Sequence, residues 1–463
     1  MSDSPVFLNG PLMGHVVRMS LTASIGLMAM FAVDFVDMVF IAMLGNHALA
    51  AAVGYAGTLL FFTNAVNIGL SIAAGSLVAR ALGAGRPGDA RRQATNVAML
   101  AALTGLVLPV LILLNLTAIL RALGAEGEVA RLAARYVIII LPTMAAVAVA
   151  MTAMAVLRAH GDARRSMMAT LYGGIVNAVL DPIFIFALGL GLDGAAVATV
   201  LARLTMLALS LRPAVQVHDA FARPSLAGLR PDLRAINAIA LPAVLTNIAT
   251  PVGNAIVTRE LARFGTDAVA AMAVIGRLTP VAFAVIFALS GAIGPIIGQN
   301  AGAGRADRVR AAFAAGLVFT AAYVAAVSLI LFVLRAPLSD LFEAEGLTRA
   351  LIYLFCGPLA GLMFFNGVIF VANASFNNLG RPLYSTAINW GRHTIGTWPL
   401  AVIGAWTMGA AGVLIGQALG GIVFAVIAWL VARQVMAAPD AASKATPGWA
   451  QARLHALFGR RGW

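Results

Sequence analysis

Long apolar runs separated by short polar connections make up almost the whole of this chain. Each run is at least about 20 residues long, which is the length that a helix needs to cross the hydrocarbon core of a bilayer. The pattern predicts twelve membrane-spanning helices in an all-α integral membrane protein. They are placed near residues 16–43, 50–79, 93–118, 133–157, 166–188, 194–214, 235–262, 268–297, 309–334, 349–374, 383–406 and 410–436.

Basic residues are concentrated on alternate connections between these runs. The connections after the second, fourth, sixth, eighth and tenth runs, together with the C-terminal tail, hold 20 lysines and arginines, and the opposite set holds seven. Because cytoplasmic loops are enriched in these residues, both termini are expected on the cytoplasmic side. The Ala- and Arg-rich composition suggests a GC-rich bacterial gene, and therefore a multi-pass protein of the bacterial inner (plasma) membrane.

Short glycine-containing motifs recur at a nearly constant distance along the chain. Gly83–Arg86 recurs as Gly302–Arg305, 219 residues later, and Gly45–Ala51 recurs in similar form as Gly265–Ala271, 220 residues later. Six predicted helices separate the members of each pair, and because six is even, both halves have the same orientation. The sequence therefore predicts two parallel six-helix repeats, related by an axis along the membrane normal.

The repeat and the composition divide the chain into four regions. Residues 1–214 form a predicted N-terminal lobe, residues 215–233 a polar cytoplasmic linker, and residues 234–437 a C-terminal lobe. Residues 438–463 form a predicted cytoplasmic basic tail. Within it, Thr446–Trp463 suits either a short helix on the membrane surface or a disordered segment.

Composition excludes several classes of protein. With 61% hydrophobic and 11% charged residues, the chain lacks the polar surface of a soluble domain. Its net charge of +13 comes from the arginine-rich connections, so no nucleic-acid partner is expected. Cys356 is the only cysteine and Lys444 the only lysine, which excludes internal disulfides and a Walker A loop. Energy must then come from an ion gradient or a separate subunit. No cofactor is expected beyond a coupling ion, H+ or Na+, and no cluster of His, Asp or Cys indicates an enzyme.

Asp181 lies inside the fifth apolar run, with Asn177 one helical turn before it. Intramembrane acids are rare and usually functional, because an ionised side chain without a partner costs several kcal/mol there. The four-residue spacing places the amide and the carboxylate on one helix face. Pro182 removes a backbone donor and leaves a carbonyl free to face an ion or water. A transport or coupling role is predicted; the alternative is an acid that pairs with a buried arginine to hold the bundle together.

Four motifs, in this order on twelve predicted spans, resemble those of the MATE (multidrug and toxic compound extrusion) transporters of the MOP flippase superfamily over residues 15–436. They are Asp37 with the following Met38–Gly45, the series Asn177-x-x-x-Asp181-Pro182, Gly194–Thr199 and Gly298–Arg305. The resemblance implies two six-helix lobes around a central cavity, which export small amphiphilic or cationic molecules in exchange for protons or sodium. The expected partners are these molecules and the lipid bilayer, with the protein acting as a monomer.

Several MATE proteins hold a cation in the N-terminal lobe, and the matching positions here are Asp37, Asn177, Asp181 and Thr199. The predicted directions of the first, fifth and sixth spans place all four in the outer half of one lobe. Two carboxylates in such a site cannot easily ionise together, so the site can load a proton, or a sodium ion held by oxygen ligands. The predicted function is secondary active multidrug or organic-cation efflux by alternating access, driven by cation loading at this pair.

Asp34 and Arg203 depart from the family pattern. Arg203 follows Thr199 by one turn and stays charged when buried, so it can neutralise Asp181 or pair with Asp34 as a counter-charge or gating residue. A fixed positive charge there weakens the sodium interpretation. The first span also lacks the proline at which this helix bends in many family members. Gly26 is the alternative position for a bend, and a weaker one.

The predicted C-terminal lobe has asparagines where many family members have deep acids, so it is not expected to load a cation by protonation. A polar substrate cavity is predicted from five residues, which are Arg277, Asn366, Asn373, Asn389 and His393. Two of these have structural alternatives. Arg277 can pair with an asparagine or a helix end, and His393 can be a hydrogen-bonded packing residue.

Two other functions stay open. A lipid-linked precursor flippase of the same superfamily has this general architecture, although such proteins usually have a more basic central cavity. Here Arg203, Arg277 and Arg392 are the only arginines in the middle of a predicted span. A non-transporting scaffold or receptor is the alternative if Arg203 holds Asp181 permanently.

Overall fold

Helices account for the regular structure in residues 5–44 and 47–437, which are the residues that this computed structural model describes. The α-helices are α1 (Leu12–Met43), α2 (His47–Gly83), α3 (Pro87–Leu114), α4 (Leu116–Ala122), α5 (Gly127–Ile140), α6 (Met144–Ala159), α7 (Ala163–Pro182), α8 (Leu192–Gln216), α9 (Leu226–Ala262), α10 (Thr266–Ala282), α11 (Ala284–Gly302), α12 (Ala306–Leu341), α13 (Gly346–Leu354), α14 (Ala360–Asn378), α15 (Leu383–Gly391) and α16 (Thr397–Ala437). Short 3₁₀ segments form at Val6–Leu8 and Leu141–Thr143, and π-helical segments at Ile183–Ala187, Phe355–Leu359 and Arg392–Gly396. We call α1–α8 the N-terminal half and α9–α16 the C-terminal half.

Eleven helical segments among the described residues are long and apolar enough to cross a membrane. The longest, Leu383–Ala437, holds two crossings, or passes, because Gly409 inside α16 adopts a left-handed conformation with φ 62°. Glycine takes up this conformation without the steric cost that other residues would have. The segments therefore give twelve passes, as the apolar runs predict.

Prolines interrupt three of the passes. The fourth consists of α5 and α6, joined by a 3₁₀ turn that contains Pro142, and the tenth consists of α13 and α14, joined by a π-helical segment that contains Pro358. The eighth, predicted as one run, is divided into α10 and α11 at Phe283, three residues after Pro280. Proline cannot donate to the preceding turn and its ring clashes with that turn, so helices kink at these positions.

Glycines hold the last two passes in close contact. A Cβ atom on Gly404 would clash with the backbone of Gly412, and a Cβ atom on Gly420 would lie 2.6 Å from the carbonyl carbon of Gly396. Small residues allow this approach between membrane helices, whose association depends on packing rather than on the hydrophobic effect.

The connection between the halves is shorter than the predicted linker, because α8 continues to Gln216 and α9 begins at Leu226. His218 Nε2 in this connection lies 2.9 Å from Asp162 Oδ2, between α6 and α7. Burial opposes ionisation of Asp162, but hydrogen bonds from His218 and Arg165 outweigh it, so the pKa of Asp162 is held below its usual value. The division into two lobes and a linker stays a prediction.

Helices α2 and α11 cross at the end of the bundle that contains the arginine-rich connections, which we call the arginine-rich end. A Cβ atom on Gly83 would clash with the backbone of Gln299, and one on Gly302 would clash with the backbone of Arg80. Gln299 and Arg80 each precede their own helix's glycine by three residues, so the contact is symmetric between the halves. The repeated motif therefore needs glycine because two backbones touch there.

The segment before α1 binds the same end of the bundle. Phe7 donates its backbone N–H to Gln299 Oε1 at 2.8 Å, and Gln299 Nε2 donates to the Ala159 carbonyl on α6 at 2.8 Å. Arg308 Nη2 on α12 donates to the carbonyls of Phe7 and Gly10 at 3.0 and 3.1 Å. These bonds join the two halves at the arginine-rich end.

Two predicted features lie outside the described residues. Gly45 and Asn46, which begin one of the repeated motifs, are not described, and neither is the basic tail of residues 438–463 with its predicted surface helix.

We expect Gly83→Ala to destabilise the protein, although glycine inside a helix is ordinarily less favourable than alanine by about 0.5–1 kcal/mol. The added methyl group has to displace the Gln299 backbone, and overpacking of this kind costs about 1–3 kcal/mol. The melting temperature of the purified protein in detergent should fall by a few degrees. Gly88→Ala is the control, because a Cβ atom there meets nothing within 4 Å. Equal melting temperatures for Gly83→Ala and the wild type would show that the helices do not touch at Gly83.

Candidate cation-coupling site

Asp181 lies at the end of α7, directly before Pro182 and a π-helical segment. Pro182 has no N–H to continue the α-helical ladder, and π-helical turns are frequent at functional sites. The side chain is sealed inside the bundle, since Asp181 is 0% and Asn177 5% exposed. A carboxylate in this position has no access to bulk water and depends on the groups packed around it.

The Asn177 side-chain amide bridges two carboxylates from different helices. Its Nδ2 donates to Asp181 Oδ2 at 2.6 Å and lies 3.2 and 3.3 Å from the two side-chain oxygens of Asp37 on α1. Helices α1 and α7 pack closely against each other, which brings Asp37 to this position. The structure therefore unites three of the four predicted coupling residues in one cluster.

Because the same Asn177 Nδ2 atom contacts both, the Asp37 and Asp181 carboxyl groups lie close to each other. Asp181 Oδ1 is buried and has no hydrogen-bond partner among the described residues. Two ionised carboxylates repel each other strongly in a site of low dielectric constant, and neither has a hydrogen to donate. Chemically, the arrangement suits a pair that shares one proton or holds one cation.

Tyr136 on α5 faces the carboxyl pair and was not among the predicted residues. Its hydroxyl group is within hydrogen-bonding reach of Thr199, and it interacts electrostatically with Asp37 and Asp181. Thr199 Oγ1 itself donates to the Ala195 carbonyl at 3.0 Å. The fourth predicted residue is thus linked to the pair through Tyr136. The feature of the sequence that could have indicated this residue is a single tyrosine inside an apolar run.

Arg203 does not bind either of the acids proposed for it. Its Nη1 donates to Thr143 Oγ1 at 3.0 Å and lies 3.4 Å from the Ile140 carbonyl. In the 3₁₀ turn between α5 and α6, the Met144 N–H bonds to Leu141, which leaves the Ile140 carbonyl without its α-helical partner. In this structure the prediction that Arg203 neutralises Asp181 or Asp34 is therefore wrong, because the kink offers it other acceptors.

Helix α1 continues without a break from Leu12 to Met43. A Cβ atom on Gly26 would lie 3.3 Å from Thr170 Cβ and 3.4 Å from the Met167 carbonyl on α7. Gly26 therefore serves close packing here. Asp34, which also interacts electrostatically with Asp37, is exposed.

Arg277 on α10 is exposed and reaches across to the N-terminal half. Its Nη2 lies 3.4 Å from the sulfur atom of Met38 on α1. Because an arginine in lipid is very costly, this contact indicates that Arg277 borders the space between the halves. The alternative pairing with an asparagine or a helix end is not observed.

The remaining predicted cavity residues do not form one cluster. Asn389 Nδ2 lies 3.2 Å from Asn373 Oδ1, so these two bond to each other. Asn366 contacts the Met363 sulfur at 2.9 Å and is not part of that pair. His393 is 3% exposed, and its Nδ1 packs against Gly253 without a hydrogen bond among the described residues. The interpretation of His393 as a hydrogen-bonded packing residue is wrong at this nitrogen.

Twelve passes, a repeated glycine contact between two halves and a polar cluster sealed inside one half are features of a secondary transporter. The chain belongs to the MatE family, whose model matches residues 23–183 and 242–407. It is accordingly a multi-pass membrane transporter and not an enzyme, and the family resemblance in the sequence is confirmed.

Relatives and solved structures support the same assignment. A Shewanella oneidensis protein named FAD transporter is 27% identical over 448 residues, which cover 94% of this chain and 97% of the relative. A Thermotoga maritima protein named probable multidrug resistance protein NorM is 26% identical over 315 residues, covering 66% of this chain and 67% of the relative. The structure of a mutant of the Vibrio cholerae MATE transporter VcmN matches with a TM-score of 0.87 and 25% identity, over 92% of this chain and 97% of that one. The predicted fold of twelve helices in two repeats is thereby confirmed.

We expect Asn177→Ala to lower the melting temperature in detergent, because it removes the bridge between the half-buried Asp37 and the buried Asp181 carboxyl groups. Hydrogen bonds to charged groups are each worth about 1.5–3 kcal/mol. Asn115→Ala is the control, since its exposed amide donates only to the Leu111 carbonyl, at 3.0 Å. Equal shifts in the two variants would contradict a bridging role for Asn177.

Proposed function

We propose that this protein exports small organic molecules in exchange for protons that load the Asp37–Asp181 pair. The observation that supports this most directly is the pair itself, bridged by Asn177 and with the buried Asp181 Oδ1 unpartnered. A site built in this way changes its charge when a proton arrives or leaves. That charge change is what couples an ion gradient to a conformational equilibrium.

The proton acts here through repulsion between two helices. With one proton shared, Asp37 on α1 and Asp181 on α7 attract each other through a hydrogen bond. Without it, two like charges face each other in a medium that screens them poorly. Loading therefore favours the close packing of α1 on α7, and release weakens it.

The membrane potential supplies sufficient energy for this cycle. Each elementary charge that crosses 100 mV provides about 2.3 kcal/mol, which is enough for roughly fifty-fold accumulation of substrate per proton. The glycine contact of α2 with α11 closes the arginine-rich end of the bundle. If that end is cytoplasmic, as the positive-inside rule predicts, this arrangement is closed toward the cytoplasm.

Sodium is the alternative coupling ion. It would be held by oxygen ligands, and Tyr136 and Thr199 supply two more oxygens near the carboxyl pair. The closeness of the two carboxyl groups, which contact one Asn177 nitrogen, favours the proton, because a sodium ion between them would need more space than a shared hydrogen. Asp34 and Arg203 keep a possible role in gating, each near the pair but not bonded to it.

The substrate class has two candidates. Relatives named as multidrug resistance proteins favour organic cations and other amphiphiles. The relative named FAD transporter favours a flavin dinucleotide, and the mid-pass Arg277 and Arg392 in the C-terminal half would suit its phosphates. We place the protein in the bacterial inner membrane as a monomer, with both termini cytoplasmic and the predicted lobes bounded as the sequence suggests.

The decisive experiment measures export of a fluorescent organic cation and of FAD from proteoliposomes. An imposed proton gradient and an imposed sodium gradient are tested separately. We expect the proton gradient to drive export in the wild type, and Asp181→Asn to reduce the driven rate at least about tenfold, since the shared-proton interaction is lost.

Asp307→Asn is the matched control, because Asp307 is exposed at the start of α12, away from the pair. It should export at the wild-type rate. If sodium alone drives export, the proton proposal is wrong. If neither gradient drives either substrate, the lipid-linked precursor flippase becomes the better hypothesis.

A further inference from the structure

A stripe of polar side chains runs along the eleventh pass, in the middle of the C-terminal half. Ser385, Asn389, His393 and Thr397 follow one another at intervals of four residues, and none is more than 4% exposed. A π-helical segment begins at Arg392, and the Thr397 N–H bonds to the Arg392 carbonyl. Thr397 therefore lies one turn from Arg392.

The two ends of this stripe differ in their hydrogen bonding. Ser385 Oγ and Asn389 Nδ2 bond to groups of the tenth pass, including Asn373. By contrast, His393 Nδ1 and Thr397 Oγ1 are buried with no partner in the part of the chain that the structure describes. Buried polar atoms are almost always paired, and an unpaired one is costly. Because His393 Nδ1 is packed against Gly253, it is the unpaired Thr397 hydroxyl that indicates a place for another binding group.

Arg392 is the charged member of this cluster. Within the described ranges, its guanidinium has no hydrogen-bond or ion-pair partner. Its Nε lies 4.0 Å from the position that a Cβ atom on Gly421 would occupy, between the eleventh and twelfth passes. Arg392 is half-buried, and because arginine keeps its charge, a guanidinium without a partner inside a membrane pass is unfavourable.

The C-terminal half supplies no counter-charge at this depth. Among its described residues, every Asp and Glu lies near a helix end or in a connection, as Glu260, Asp267 and Asp307 do. The acids inside the passes, Asp34, Asp37 and Asp181, belong to the N-terminal half. An anion from outside the chain is therefore the natural partner of Arg392.

We propose that Arg392, with Thr397 one turn away, binds the carboxylate or phosphate group of the transported molecule. The guanidinium presents a planar fork of donors that matches both groups, and the threonine hydroxyl adds one more donor. The inference rests on the proposed transport function and names the substrate class, an amphiphile with an apolar body and an anionic group. A phospholipid headgroup offers the same phosphate chemistry, so the test must separate it from a dissolved substrate.

Riboflavin and its 5′-phosphate, FMN, are matched probes because they share one fluorescent ring system and differ in the phosphate. Binding of each to the purified full-length protein in detergent is followed by fluorescence anisotropy. We expect the wild type to bind FMN at least about tenfold more tightly than riboflavin, and Arg392→Gln to abolish this preference. Arg392→Lys keeps the charge without the fork, so it should retain part of the preference.

Two further variants supply a control and a second change in the site. Arg310→Gln, at an exposed arginine near the start of α12, should bind both probes as the wild type does. Thr397→Val preserves shape and removes one donor, so it should weaken FMN binding alone even if Arg392→Gln does not fold. Equal affinity for the two probes in the wild type, or a preference for FMN that persists in both variants of the site, would overturn the proposal.

The lipid source is tested in the same samples. If phosphatidylglycerol raises the melting temperature of the wild type but not of Arg392→Gln, and FMN is not preferred over riboflavin, the site binds a headgroup and the substrate proposal is wrong. Because binding in detergent needs no ion gradient, these results do not depend on Asp181. A failure of proton-driven export is thereby distinguished from a failure of anion recognition.

Discussion

A charged group inside the hydrocarbon core needs a partner, because neither lipid nor apolar side chains can replace its hydration. In the N-terminal half this constraint is met within the protein. Asn177 donates to both Asp37 and Asp181, and under the proposed mechanism the two acids also share a proton. Arg203 satisfies the same constraint differently, on the Thr143 hydroxyl at a helix kink. Each arrangement depends on a proline that breaks the backbone ladder next to it.

The two halves share one architecture but differ in the charge that they hold at mid-depth. The fifth pass of each half contains a π-helical segment, which follows Asp181 in the first and begins at Arg392 in the second. Where the first half has acids, the second has Arg392, which has no hydrogen-bond or ion-pair partner among the described residues. A repeat that conserves the backbone while it reverses the charge can separate two tasks, with the coupling ion handled in one half and the substrate's anionic group in the other.

Most of the features that depend on apolar runs and residue spacing were predicted from the sequence. Twelve passes, the repeat and the position of Asn177 on the same face as Asp181 all follow from periodicity along one chain. What lies opposite a side chain does not follow from periodicity, and the errors were of this kind. Arg203 was correctly placed one turn after Thr199, but its partner depends on how the 3₁₀ turn at Pro142 exposes the Ile140 carbonyl. Tyr136 was missed for the same reason, since only packing brings α5 to the carboxyl pair. The prediction of one helix for the eighth run was wrong because the helix is interrupted at Phe283, after Pro280, while the run itself stays hydrophobic.

Helix α1 connects the carboxyl pair to the arginine-rich end, and its continuity matters for coupling. It runs unbroken from Leu12 to Met43, with Asp37 near one end and the segment bound by Gln299 and Arg308 directly before the other. This helix has no proline at which to bend, and Gly26 is packed against α7, so it has few means to absorb a displacement at Asp37 locally. Under the proposed mechanism, loss of the shared proton would therefore move α1 as a rigid unit. That movement would strain the hydrogen bonds of Phe7 and Gly10 to the C-terminal half. The same helix would thus transmit the state of the coupling site to the contact that closes the opposite end of the bundle, with no need for a hinge in between.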